Sequence, residues 1–169
     1  MDFNFKDKYG IDDLIKIMEI LRSENGCPWD REQDHKSIRQ NLIEETYEVI
    51  EAIDNDDTEL LKEELGDALL QVVFHSRIEE EKNSFDFSDV ADGICKKLII
   101  RHPHVFGNIT ADTPEEVLKN WDDIKMKTKS QTKASEAMDS VAKSLPALMR
   151  ADKIRSKAKK AGYAPKIGR

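Results

Sequence analysis

Apolar residues recur three and four positions apart along most of this chain, the spacing of amphipathic helices. Ile11, Leu14, Ile15, Met18 and Leu21 make a first stripe over residues 11–24, which the stop signal Asn25-Gly26 ends. Cys27-Pro28-Trp29-Asp30 reads as a loop. A helix from Ser37 to Ile53 carries Leu42, Ile43, Val49, Ile50 and Ile53 on one side and Glu44, Glu48 and Glu51 opposite. Asp54-Asn55-Asp56-Asp57 breaks it. The next helix begins near Thr58 and runs towards Glu81; its stretch Ala68–Phe74 is apolar nearly all round, which predicts a central position. A further helix starts at the N-cap Ser88 and reaches about Arg101. Thr113-Pro114-Glu115-Glu116 supplies an N-cap, a proline at the first helical position and a capping-box glutamate, opening a helix through Trp121. Residues 127–140 hold almost nothing to bury and read as a mobile linker. A last pattern runs from Pro146 to about Ala161 and closes at Gly162. The expectation is an all-α protein: a helical domain over residues 1–126, the linker 127–140, and a basic helix and tail over 141–169.

Acidic residues interrupt this pattern in two places. Glu44, Glu45 and Glu48 lie on the first acidic helix, and Glu63, Glu64 and Asp67 open the second. Side chains three and four apart share a helix face, so Glu45 can converge with Glu48 and Glu64 with Asp67. Two helices joined by a short turn lie antiparallel, which brings the two sets face to face. Such neighbours repel unless a cation intervenes. Mg²⁺, a hard ion held by a few carboxylates, waters and phosphates, suits that donor set. A solvated helix face is the alternative for either set alone. Gly66, in a helix interior where glycine costs roughly 1 kcal/mol relative to alanine, suggests a close approach to the backbone.

Other groups are less specific. Lys97 and Arg101 are four apart, and Trp121 and Lys125 repeat that spacing. Each pair reads either as surface charge with a core tryptophan or as cations for phosphates. His102-Pro103-His104 is better read as structural than as a metal pair. Trp29 is either a core anchor or a base-stacking ring.

Composition sets the frame. With 169 residues, 36% of them charged, seven Gly and five Pro, the chain suits one domain rich in long helices. No apolar run approaches ~18 residues and the first ten residues are polar, so neither a membrane span nor a signal peptide is expected and a cytoplasmic address follows. Cys27 and Cys95 form no disulfide framework and are expected to be small buried side chains. Residues 119–169 carry 14 Lys or Arg against 5 Asp or Glu, net +9, inside a chain of net charge -7, so the remainder is strongly acidic. The basic residues sit at helical spacing among apolar ones, which favours contact with an anionic substrate or the acidic part of the protein over nucleic acid.

Read in order, Cys27-Pro28-Trp29-Asp30, Gln33 with His35, Glu44-Glu45-Thr46-Tyr47-Glu48, Glu63-Glu64-Leu65-Gly66-Asp67, Gln71–His75 and Arg101-His102-Pro103-His104-Val105-Phe106 resemble the MazG nucleoside triphosphate pyrophosphohydrolases. The resemblance continues through Trp121, Lys125 and Leu145–Ala151 and spans about Ile11 to Tyr163. It implies an all-helical dimer or higher homo-oligomer on a four-helix core, and hydrolysis of a nucleoside triphosphate to the monophosphate and pyrophosphate with Mg²⁺, or Mn²⁺ in its place. By that pattern Glu45, Glu48, Glu64 and Asp67 are metal ligands, Glu44 or Glu45 takes the proton of the attacking water, and Lys97, Arg101, Trp121 and Lys125 hold the substrate. Many relatives carry two such domains in tandem. Here Gly162-Tyr163-Ala164-Pro165 replaces the usual Gly-Phe-Asp-Trp, and Asp34 stands where threonine is common.

Three alternatives are weighed against this. Glu63-Glu64-Leu65-Gly66 is similar to the end of a Nudix box, but the Arg-Glu pair before it is missing. No His-Asp dipeptide exists for an HD-domain phosphohydrolase. A non-catalytic helical interaction protein remains, and it predicts no magnesium-dependent turnover.

Overall fold

In a computed structural model of the protein, the described residues are 3–111, 113, 114, 116, 117, 120, 121, 124 and 134–163; they form helices and turns, with no strand among them. The chain divides into two compact units, Met1–Cys95 and Lys96–Arg169.

The first unit holds α1 (Ile11–Leu21), α2 (Pro28–Glu32), α3 (Arg39–Asp54), α4 (Thr58–Glu80) and the first part of α5 (Phe87–Arg101). As its apolar run predicts, α4 is central and packs against both α3 and α1. The core joins Met18 of α1, Ile38 at the start of α3, and Val73, Phe74 and Ile78 of α4, with Leu14, Ile15, Leu21, Leu70 and Phe87 around them.

Local chemistry explains why α3 and α4 form a hairpin. At the end of α3 the Asp57 amide donates to the Ala52 carbonyl at 3.0 Å and the Asp56 amide to Ile53 at 3.2 Å, with Asp56 left-handed at φ 53°. This is a Schellman ending, and aspartate is among the few non-glycine residues that tolerate it. The next residue, Asp57, caps α4 by accepting the Leu60 amide at 3.0 Å. One tight turn therefore stops one helix and starts its antiparallel neighbour. Asn83, at φ 57°, ends α4 in the same way.

Several local expectations change. The first helix stops at Leu21, where the Cys27 amide reaches back to the Leu21 carbonyl at 2.8 Å. Gly26 is required there, because a Cβ would lie 2.3 Å from the carbonyl oxygens of Ile20 and Leu21. The segment read as a loop at Cys27–Asp30 opens α2 instead, since Pro28 at the first helical position loses no hydrogen bond. α5 starts one residue before the proposed N-cap Ser88; Asp86 and Asp89 cap it reciprocally, each accepting the other's amide, at 2.9 and 3.1 Å. Cys95 is exposed and Cys27 half-buried, so neither is the buried side chain expected. On α3, Ile43, Ile50 and Ile53 are exposed while Ala52 is buried, because the row facing inward is Ile38, Leu42, Glu45, Val49 and Ala52.

In the second unit, Pro103–Phe106 forms one helical turn. Thr113 accepts the Glu116 amide at 3.3 Å as its N-cap role requires, and Pro114, Glu116, Val117, Asn120, Trp121 and Ile124 are helical. Of the expected linker, residues 127–133 lie outside the described residues and Ala134–Asp139 is a short helix. It packs against the helix Ala147–Lys160. Lys157 ties the two by donating to the Ala137 carbonyl at 2.6 Å and the Ser140 hydroxyl at 2.9 Å. Gly162, at φ 81°, closes the last helix, with the Tyr163 amide donating to Ala158 at 2.9 Å. Among the described residues no helix is long and apolar enough to cross a membrane.

Candidate functional site

The α3–α4 hairpin decides which acidic side chains meet. Glu45 belongs to the inward row of α3 and is half-buried, whereas Glu44 and Glu48 on either side of that row are exposed. On α4, Glu64 and Asp67 are half-buried and Glu63 is exposed. One carboxylate oxygen from each of Glu45, Glu48 and Glu64 lies within 4.8 Å of the others. Asp67 is not in that group of three, but its charge acts on both Glu45 and Glu64. Glu44 accepts a long hydrogen bond from the Gln40 amide, 3.4 Å, and also lies outside the group.

The cluster is electrostatically frustrated. Burial, then the charges of Asp67 and Glu48, a hydrogen bond with Glu48 and the charge of Glu64 push the Glu45 carboxyl above its usual range. Glu64 moves the same way, through burial and then Glu48, Asp67, Glu63 and Glu51. Like charges on two helices thus hold protons more tightly than isolated carboxylates. Gly66 has no atom within 4 Å of the position a Cβ would take, so the close approach inferred for it is not made within this chain.

The cationic candidates belong to the second unit and are described there. Lys97 is exposed on α5. Arg101, four residues on, is half-buried with its guanidinium 4.8 Å from the centre of the Trp121 ring, a cation–π contact. Lys97 and Arg101 lie four apart on α5 as the spacing expects, and Arg101 in addition meets Trp121. Lys125 lies outside the described residues. The His102 ring bonds the Leu98 carbonyl at 2.6 Å, a local helix-end role. Trp29 is 58% exposed, too open for a core anchor.

A second polar constellation was not anticipated as a unit. His35, in the turn before α3, meets His75 of α4 with Nδ1 to Nδ1 at 2.8 Å and the rings nearly parallel, 17° apart. Its Nε2 lies 2.6 Å from Glu79, and Lys82 donates to that same carboxylate oxygen at 2.7 Å. Lys82 and then His35 hold Glu79 down at about 2. Burial and then His35 push His75 below the usual histidine range. His75 and Glu79 are i and i+4 on α4, which was legible in the sequence; His35, forty residues away, was not connected to them. Arg22 anchors the neighbouring turn: it pairs with Glu81 through two bonds of 2.8 and 2.9 Å, donates to the carbonyls of Asp30 and Gln33, and lies over Phe74.

Comparison with known proteins gives the domain family. The MazG nucleotide pyrophosphohydrolase domain matches residues 33–106, which hold both the acidic cluster and the histidine pair. Residues 33–106 are a MazG domain. The chain is 46% identical over 154 residues to the nucleoside triphosphate pyrophosphohydrolase of Escherichia coli (strain K12), covering 90% of this chain and 59% of that protein. It is 47% identical over 152 residues to the nucleoside triphosphate pyrophosphohydrolase/pyrophosphatase MazG of Thermotoga maritima, covering 90% of this chain and 58% of that one. It is also 49% identical over 138 residues, 82% of this chain, to the uncharacterized protein YabN of Bacillus subtilis, of which that covers 28%. The chain therefore spans less than three fifths of the length of these curated relatives. The crystal structure of a MazG-related protein from Thermotoga maritima superposes with a TM-score of 0.58 at 27% identity, over 68% of this chain and 98% of that one.

Proposed function

We propose that this chain hydrolyses nucleoside triphosphates to the monophosphate and pyrophosphate in a Mg²⁺-dependent reaction, with Mn²⁺ able to substitute, and clears nucleotides from the pool. The observation that carries this is the carboxylate group Glu45, Glu48 and Glu64, with Asp67 acting on it, inside a MazG domain. The donors are all oxygen and mutually repelling, which fits a hard divalent cation and not a thiolate-seeking one. Glu45, Glu48, Glu64 and Asp67 would hold the ion. When bound, it supplies charge neutralisation and acidifies water for attack on phosphorus.

The protein's own groups do the rest. Glu44 or Glu45 accepts the proton of the attacking water; Glu44 keeps its oxygens outside the group of three, which leaves it free for that role. Lys97, Arg101, Trp121 and Lys125 bind substrate, the cations offsetting charge that builds on the pyrophosphate as it leaves. Arg101 held against an indole is ordered before any phosphate arrives, which lowers the entropic cost of using it.

The same reading takes the assembly to be a homodimer or higher oligomer on a four-helix core. Its support is an apolar surface on the hairpin: Ile43, Tyr47, Ile50 and Ile53 on α3, and Leu65, Leu69 and Val72 on α4, are each 38–54% exposed at helical spacing. Two stripes of this kind are what a second copy of the chain would cover.

A pyrophosphate-release screen over canonical and damaged nucleoside triphosphates, with Mg²⁺ and with Mn²⁺, tests the function. Release that Glu48→Gln or Asp67→Asn brings to background supports it. A folded wild-type protein inert on the whole panel would overturn it and leave a non-catalytic helical interaction protein.

A further inference from the structure

The His35–His75–Glu79 chain lies apart from the carboxylates, yet it joins the same two segments. The α3–α4 hairpin is fastened at one end by the covalent turn Asn55–Asp57. Towards the other end, beyond the acidic cluster, its fasteners are the buried Ile38 and the His35–His75 contact. Glu45 lies seven residues after Ile38, and Asp67 eight residues before His75, so the repelling carboxylates sit between the two fasteners.

The turn that presents His35 is itself braced. Asp34 accepts the amides of Lys36 and Ser37, both at 2.8 Å, and its own amide donates to the Ser37 hydroxyl at 2.9 Å. Aspartate at this position therefore braces the turn before α3. The turn fixes where His35 leaves the backbone, and hydrogen-bond chemistry then limits its protonation. Two Nδ1 atoms 2.8 Å apart need one donor and one acceptor, so at most one of them carries a proton. With His35 charged, its two N–H groups serve His75 and Glu79, and His75 must be neutral. A second proton would place two donors, and two like charges, against each other. The other charged groups around the pair are Glu79 and Lys82, Asp34 and Lys36 beside His35, and the Arg22–Glu81 ion pair at the end of α1.

We propose that His35 and His75 share one proton and form a latch seating the start of α3 on α4, and that a second proton releases it. His35 and His75 are then positioning residues: they maintain the spacing at which Glu45 and Glu48 face Glu64. That last consequence rests on the metal-site reading; the latch does not.

The test is NMR of the imidazole nitrogens of the full chain across the neutral to acid range, in wild type and in His75→Gln and His35→Gln, with amide-exchange protection of Ser37 and Ile38 followed in parallel. The expected result is one histidine taking its proton in the neutral range and the other only well below it. Protection of Ser37 and Ile38 should fall by roughly tenfold as the second proton binds, the size of one lost hydrogen bond, and should lose this pH dependence in His75→Gln. Two wild-type histidines that titrate independently at the ordinary value, or protection that ignores the second protonation, would overturn the latch. The wild-type titration stands even if a variant fails to fold. Mn²⁺ affinity, measured directly, separates the two readings: weaker binding in a folded His75→Gln supports the positioning role, unchanged binding overturns it, and no binding in wild type at any pH defeats the metal site while the titration still decides the latch.

Discussion

Replacing Glu45 by glutamine should stabilise the metal-free protein and abolish its stabilisation by metal. The side chain keeps its shape and loses its charge. At 4.8 Å, the limit of separation within the group, two unit charges repel by roughly 1 kcal/mol in bulk water and by roughly 3.5 kcal/mol at an effective dielectric of ~20. Glu45 is only half-buried and its neighbours are open to salt, so the lower figure governs. A gain of about 1 kcal/mol corresponds to a rise of about 2–4 °C in Tm for a chain of this size. The direction with pH follows from the raised carboxyl of Glu45. The folded state holds that proton more tightly than the unfolded one, so the contribution is present below the ordinary value of 4.5 and is lost as pH rises through the folded value. In EDTA at neutral pH the wild type therefore carries a penalty that Glu45→Gln removes. With Mn²⁺ at about 100 times its dissociation constant, the wild type should gain ~2.7 kcal/mol and the variant little. Thermal unfolding of both proteins in EDTA and in Mn²⁺ measures this, and the order of the two melting temperatures should reverse between the conditions. A variant less stable than wild type in EDTA, or one that gains as much from Mn²⁺, refutes the reasoning.

Four further outcomes concern the frame around the site. Asp57→Ala removes the α4 cap, the 3.0 Å bond from the Leu60 amide, and should cost about 1 kcal/mol in urea unfolding; no measurable loss would show the cap to be unimportant. Gly26→Ala forces a Cβ against two backbone carbonyls and should destabilise by about 1–3 kcal/mol, whereas Gly66→Ala, with open space at that position, should be neutral or slightly stabilising in the isolated chain. Glu79, held down at about 2 by Lys82 and then His35, contributes stability that is fully present above the ordinary value of 4.5 and lost as pH falls towards about 2. Glu79→Gln should flatten the fall in the urea midpoint across that acid range, and an unchanged slope would argue against the ion pairs.

The all-helical fold, the hairpin and the central place of α4 were all readable from the chain, because helix periodicity and capping are local properties. Ile11, Met18 and Leu21 mark one stripe, and Asp54–Asp57 marks a stop and a start, whatever lies elsewhere in the protein. The acidic motifs were equally visible, since three- and four-residue spacing makes neighbours on any helix. Which faces meet was not visible. Ile43, Ile50 and Ile53 look as suited to a core as Leu42 and Val49 do, and only the packed hairpin turns Glu45 inward with Ala52 and leaves those isoleucines exposed. The same packing gathers Glu45, Glu48 and Glu64 and leaves Glu44 outside the group. It also joins His35 to His75 across forty residues. Within the second unit, Arg101 meets Trp121, twenty residues away. The physical reason is common to all of these. Local spacing determines which side chains share a helix face, while the free energy of burying one face against another decides which face that is, and that choice is made by the whole chain at once.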